Sequence, residues 1–218
     1  MLAFSGVGMN LESASFQSGG HSLAGKHAAK HLKMEENYLD SVRKQLEYYK
    51  ALGEKTFAQL QEEELFWQFN AESNSIAIMV NHLWGNMKSR WTDFLVSDGE
   101  KKWRKRDQEF ESVIKTKAEM LHKWEEGWSC LFEAVDSVNK ENIGTEIFIR
   151  NQSHTIIEAI NRQMMHYAYH IGQIVYLGRM IRGEKWKSLS IPKGKSKDFN
   201  ADMFSMGKRT GHFSDDIK

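Results

Sequence analysis

His166-Tyr167-Ala168-Tyr169-His170 sets two imidazoles four residues apart, and on an α-helix that spacing puts both on one face, about one turn from each other. Both rings can then reach a single cation. At about 100° per residue the pair falls on the side that also carries Ile156, Ala159, Ile174, Leu177 and Ile181, the apolar stripe rather than the solvent face. Core-facing imidazoles need partners, because an unpaired buried polar group costs about 1–3 kcal/mol, and a metal ion serves both at once. His82 is the third ligand candidate, at the border of an earlier apolar stripe beside Met79, Leu83 and Asn86. Three neutral imidazoles suit zinc, nickel or another late first-row ion and leave coordination positions for water or substrate, as catalytic sites do. The competing reading is that each histidine is bonded to a carbonyl or hydroxyl in the core. No His-Glu-x-x-His run occurs, so a zincin protease has no motif behind it. His122 lies on a charged stretch, His154 near a helix start and His212 in the C-terminal tail, and none of them joins this set.

Four amphipathic helices must position these residues, judged by apolar side chains at three- and four-residue steps. They are expected near 35–62, 74–96, 108–138 and 153–183, with Asn74 or Ser73 capping the second and Gly183 ending the fourth in a left-handed conformation. Four such stripes are buried most simply as an all-α four-helix bundle. Asp98-Gly99 signals a turn between the second and third helices, and Ile147-Phe148-Ile149 is a β-prone patch between the third and fourth. Residues 1–33 are rich in Gly, Ser and Ala without a sustained period, and His21, His27 and His31 fall there. This segment reads as a flexible extension, either natural or a non-native appendage. The expected organisation is thus 1–33 as extension, 34–205 as the bundle and 206–218 as an irregular tail. Trp186, Leu189, Ile191, Phe199, Met203 and Phe204 are expected to anchor the stretch from residue 186 onward over the bundle.

Composition narrows the function classes. A single proline among 218 residues argues against turn-rich β folds. The 30 basic and 29 acidic side chains leave a formal charge of +1, too balanced for the broad positive field that nucleic acid requires. The runs Lys101–Arg106 and Lys193–Lys197 read as solvated loops. No apolar run approaches the roughly 18 residues of a membrane span. One cysteine, Cys130, excludes an internal disulfide and suits a reducing cytoplasm. Trp84 and Trp91, expected on the exposed side of the second helix, would suit a homodimer.

Met79-Val80-Asn81-His82-Leu83-Trp84-Gly85-Asn86-Met87, followed far downstream by Met165-His166-Tyr167-Ala168-Tyr169-His170-Ile171-Gly172-Gln173, resembles the DinB/YfiT-like superfamily. The resemblance covers about residues 34–205. Within it, the ending Gly183-Glu184-Lys185-Trp186-Lys187-Ser188-Leu189-Ser190-Ile191-Pro192-Lys193-Gly194 is similar to the branch catalogued as a domain of unknown function, DUF1572. The resemblance implies a four-helix bundle with one metal on a second-helix histidine and on two last-helix histidines, the positions of His82, His166 and His170. Characterised relatives include transferases using low-molecular-weight thiols such as bacillithiol or mycothiol, and a mycothiol-dependent isomerase.

The leading expectation is therefore a metal-dependent thiol S-transferase, in which the cation favours the thiolate of a bound small thiol. Asn81, Asn86 and Gln173 are candidates to orient the ligands, and Arg90 either holds a carboxylate on the thiol or snorkels to the surface. Cys130 reads as structural or incidental. One alternative is hydrolysis, since a divalent ion can bring the pKa of water to about 7; it would benefit from a carboxylate base, and no Asp or Glu in the sequence must face His82. The non-enzymatic alternative is a bundle whose metal or paired histidines only stabilise it.

Overall fold

Short polar side chains set where the helices begin. The structure, a computed structural model, describes residues 21–216. Its elements in chain order are α1 (His21–Phe57), α2 (Ile76–Trp91), α3 (Lys117–Ser137), the strands β1 (Glu146–Ile149) and β2 (Gln152–Thr155), α4 (Ile156–Arg182) and α5 (Ser196–Ser205). The described part of the chain is mostly helical, with one two-stranded antiparallel sheet. α1 starts at His21 rather than near 35, so the helix continues through the described part of the extension; residues 1–20 lie outside the described residues. Ser75, not Asn74 or Ser73, caps α2 by accepting the Ile78 N–H at 3.2 Å. Ser73 is occupied one turn earlier, where its hydroxyl donates to Asn70 at 2.7 Å. Thr116 caps α3, and Thr155 with Glu158 forms a capping box on α4 that satisfies backbone donors at both positions. Gly183 ends α4 where the sequence places it, at φ +53° but with ψ −125°, a positive-φ conformation open to glycine and outside the left-handed helical region expected.

Side-chain pairings fix the helix directions. Arg43 meets Asp136, Lys50 meets Glu125 and Phe57 meets Trp124, so α1 and α3 are antiparallel. Tyr38 meets Asn161 and Gln59 meets Lys187 just past α4, so α1 and α4 are parallel. Trp84 bonds Glu126 and Thr92 approaches Cys130, so α2 runs parallel to α3, and both oppose α1 and α4. Gly127 permits close approach of α2 and α3, since a Cβ there would stand 3.2 Å from the Trp84 backbone and from the Met87 sulfur. Two consecutive parallel helices require the chain to return along the length of α2, about 24 Å at 1.5 Å per residue. Residues 92–116 make that return, and they carry a short 3-10 turn, Arg106–Phe110, which reaches the histidines.

The core is filled by Trp124, Trp128, Phe57, Tyr167, Leu83, Met87, Ile160 and their neighbours. Trp91 belongs to it. It is 3% exposed and donates its indole N–H to the Tyr167 hydroxyl at 2.9 Å. Trp84 is partly covered, with Lys123 over its ring. The exposed second-helix aromatics expected to support a homodimer are therefore not there. The β-prone patch does form a hairpin. Arg150 and Asn151 take positive φ at its tip, as a two-residue turn between twisted strands requires, and the Asp98 carboxylate accepts both of their N–H groups at 2.9 and 2.8 Å. The Asp98-Gly99 turn thus ties the return segment to the hairpin.

Burial corrects one further expectation and part of another. Arg104 lies inside the supposedly solvated run 101–106, yet its side chain is 2% exposed. Of the proposed tail anchors, Trp186, Leu189 and Met203 are partly covered, whereas Ile191, Phe199 and Phe204 are exposed; α5 itself buries none of its residues. The chain instead returns to α1 further on, through His212 near Ser41 and Phe213 against Tyr48.

Candidate metal centre

His82 projects from α2 and His166 and His170 from α4. The imidazole Nε2 of His166 stands 3.2 Å from Nε2 of His82 and 3.1 Å from Nε2 of His170. His82 is buried and the other two are partly buried. The three residues expected from sequence are thus brought together in a cluster that could hold a metal ion.

The far side of each ring decides what the near side offers. His82 Nδ1 lies 2.9 Å from a Glu109 carboxylate oxygen, which can only accept, so in the neutral ring Nδ1 carries the proton and Nε2 presents a lone pair. His170 Nδ1 lies 2.9 Å from the Gln173 side-chain oxygen, and the same reasoning leaves its Nε2 as a lone pair. Both lone pairs face His166. A single proton on His166 Nε2 can satisfy only one of them; a cation satisfies all three nitrogens. Burial, reinforced by the neighbouring imidazoles, lowers His166 to about 3, and burial, reinforced by the adjacent His82 ring, lowers His170 to about 4. Both rings are neutral near pH 7, the state a metal ligand needs.

Glu109 is the residue sequence reasoning missed. Its carboxylate takes His82 on one side and the Arg104 guanidinium on the other, through bonds of 2.7 and 2.9 Å. Burial alone would raise its pKa, but the hydrogen bonds from His82 and Arg104 and the Arg104 charge outweigh it and hold the carboxyl below its usual range. Asn81 fixes its backbone by donating to the Glu109 carbonyl at 3.0 Å. Gly85 makes room for it, because a Cβ there would come within 2.8 Å of the carboxyl carbon. Phe110, next in sequence, stacks on His82 with ring centres 4.7 Å apart. The sequence named no acidic residue that must face His82, and the structure supplies one: the parallel run of α2 and α3 forces the return segment past α2, and Glu109 rides on it.

The other candidates divide. Gln173 and Asn81 act on the cluster as orienting groups, Gln173 directly and Asn81 through Glu109. Asn86 instead accepts from the Tyr167 hydroxyl at 3.3 Å. Arg90 neither snorkels nor is free for a substrate carboxylate: it is 7% exposed and donates to the Gly99 carbonyl and, at 3.0 Å, to Glu100. Glu100 also receives Arg104 and Arg150, so an ionic chain runs from the hairpin to His82. Cys130 is partly buried between α3 and α2, apart from the histidines.

This helical architecture and histidine cluster accompany a family match. Residues 33–195 match the model of the family described as protein of unknown function (DUF1572), and the chain belongs to that family. No curated protein and no solved structure matches it.

Proposed function

We propose that the four long helices form a bundle of the DinB-like kind, and that His82, His166 and His170 hold one divalent ion, zinc or nickel, through Nε2. The observation that carries the reading is the clustering of three imidazoles, two of which present an unprotonated Nε2 because their Nδ1–H groups donate to Glu109 and Gln173. Nitrogens around a tetrahedral ion at about 2.0–2.1 Å stand about 3.3 Å apart, close to the 3.1 and 3.2 Å that separate His166 from its two neighbours, and the ligand atoms of all three residues lie within 4.8 Å of one another. Metal-ligating histidines characteristically donate their second N–H to a carboxylate or carbonyl, which sets tautomer and orientation. Among the described residues, the cluster has three ligand groups and no fourth, which favours an open position over a saturated structural site.

The activity proposed for that site is S-transfer in which the intact thiolate of a bacillithiol-type low-molecular-weight thiol, its proton lost to solvent, forms a bond to a small electrophile as the electrophile's leaving group departs with the electron pair. The cation would supply positive charge that favours the thiolate. His82, His166 and His170 hold it, Glu109 and Gln173 orient two of those rings, and Phe110 covers one face of His82. Hydrolysis gains no support from Glu109, because both of its carboxylate oxygens are engaged by Arg104 and His82 and its depressed pKa makes it a weak base. The test is cobalt substitution followed by titration with bacillithiol, mycothiol or cysteine. An intense sulfur-to-metal charge-transfer band, formed below the ordinary thiol pKa of about 8.5 and lost in His82→Ala, is expected. If none of the three thiols perturbs the cobalt spectrum, the transferase reading falls.

A further inference from the structure

The outer face of α4 carries an apolar stripe that no described residue covers. Met165, Tyr169, Tyr176 and Met180 are 68%, 63%, 66% and 50% exposed, and with Gly172 they fall within about 80° of the helix circumference, a stripe about 22 Å long. Gly172 lies in open space, so the middle of the stripe is flat enough for another helix to approach. A contiguous exposed apolar patch of this kind marks an interaction surface, and Tyr and Met are side chains enriched in such interfaces.

The order of the residues identifies the occupant. Met165 and Met180 are equidistant in sequence from the Gly172–Gln173 peptide bond, and so are Tyr169 and Tyr176. The four large side chains therefore read Met, Tyr, Tyr, Met with the same spacing in both directions, and the axis sets Gly172 of one copy against Gln173 of the other. A two-fold axis through that bond, perpendicular to the helix, sets each Met165 against the other copy's Met180 and each Tyr169 against the other copy's Tyr176. This is the self-complementarity that an isologous interface demands. An unrelated partner would not require this symmetry.

We infer that the α4 outer face is a two-fold interface with a second copy of this chain, the two α4 helices packing antiparallel about Gly172–Gln173. The interface reaches the histidine cluster, because Tyr169 packs edge-on against His170 at 5.0 Å and Gln173, on the axis, holds the His170 ring. It does not depend on a metal being bound. Sedimentation equilibrium of the full chain at micromolar concentration is expected to give a dimer. Tyr169→Glu with Tyr176→Glu should give a monomer of unchanged helical circular dichroism. In a Cys130→Ala background, Gly172→Cys should form a disulfide-linked dimer under mild oxidation. Met165→Cys should cross-link to a Met180→Cys chain and not to itself. A monomeric wild type, a double-glutamate variant that remains dimeric, or a Gly172→Cys chain that fails to cross-link would each overturn the assignment.

Discussion

Replacing Glu109 by glutamine keeps the shape of the side chain and removes its charge, at a position where it touches both His82 and Arg104. The amide can turn its NH2 toward His82 Nδ1, which then accepts instead of donating and shifts the ring proton to Nε2, the atom that faces the other histidines. Loss of such an outer partner typically weakens metal binding 10–100-fold, or about 1.4–2.7 kcal/mol. The fold is affected separately. Both side chains of the His82–Glu109 pair are nearly excluded from solvent, and a hydrogen bond to a charged group is worth about 1.5–3 kcal/mol. Arg104 keeps Glu100 at 3.3 Å, so a cost of about 2 kcal/mol is expected, or a drop of about 4–8 °C in melting temperature for a chain of this size. Competition with a fluorescent zinc chelator measures the first effect and thermal unfolding of the metal-free protein the second. Wild-type zinc affinity in a folded Glu109→Gln variant would refute the argument that this carboxylate sets the tautomer of His82.

Gly85→Ala pushes a methyl group into the Glu109 carboxyl, and it should weaken zinc binding in the same competition assay while leaving the ligands intact; an unchanged affinity would show that the carboxylate can shift without consequence. His166→Ala or His170→Ala should abolish tight metal binding yet retain helical circular dichroism, and full metal occupancy in both would defeat the ligand assignment. Deleting residues 1–33 should leave metal content and melting temperature close to wild type, because the family match begins at residue 33; a large fall in melting temperature would show that the segment docks. In metal-free protein His166 and His170 titrate near 3 and 4 when folded, against about 6.5 in an unfolded chain. The unfolded chain therefore takes protons first, and stability falls as pH drops from about 6.5 toward 4, by at most about 1.4 kcal/mol per pH unit for each ring and less where solvent reaches it. Urea midpoints at pH 7.5 and 5 should differ more for wild type than for the double variant His166→Ala with His170→Ala; equal differences would contradict the burial of these neutral rings.

The histidine cluster was legible because its parts lie on periodic helices. His166 and His170 share a face by spacing alone, and His82 stands at the edge of an apolar stripe. Gly183 and the β-prone 147–149 patch were legible for local reasons, a positive φ and a branched, aromatic composition. Helix direction was not. Nothing in the stripes of α2 and α3 says that they run parallel, so nothing marked 92–116 as a segment that crosses the site. Arg104 and Glu109 sit there among Lys101, Lys102, Lys105 and Arg106, and in a charged run a buried ion pair looks like its solvated neighbours. The one local signal was Gly85, three residues after His82 on α2, whose missing Cβ admits the carboxylate. Trp91 was misread because α2 is buried almost all round: nearly every residue from Ile76 to Trp91 is covered, so it has little exposed face to assign.

Elemental analysis of the full chain, purified without added metal and without an affinity tag, bears most directly on the central claim. About one divalent ion per chain, zinc or nickel, is expected in the wild type, with none in His166→Ala purified in parallel. Metal-free wild-type protein that also fails to take up either ion on titration, or equal metal content in the two preparations, would contradict it.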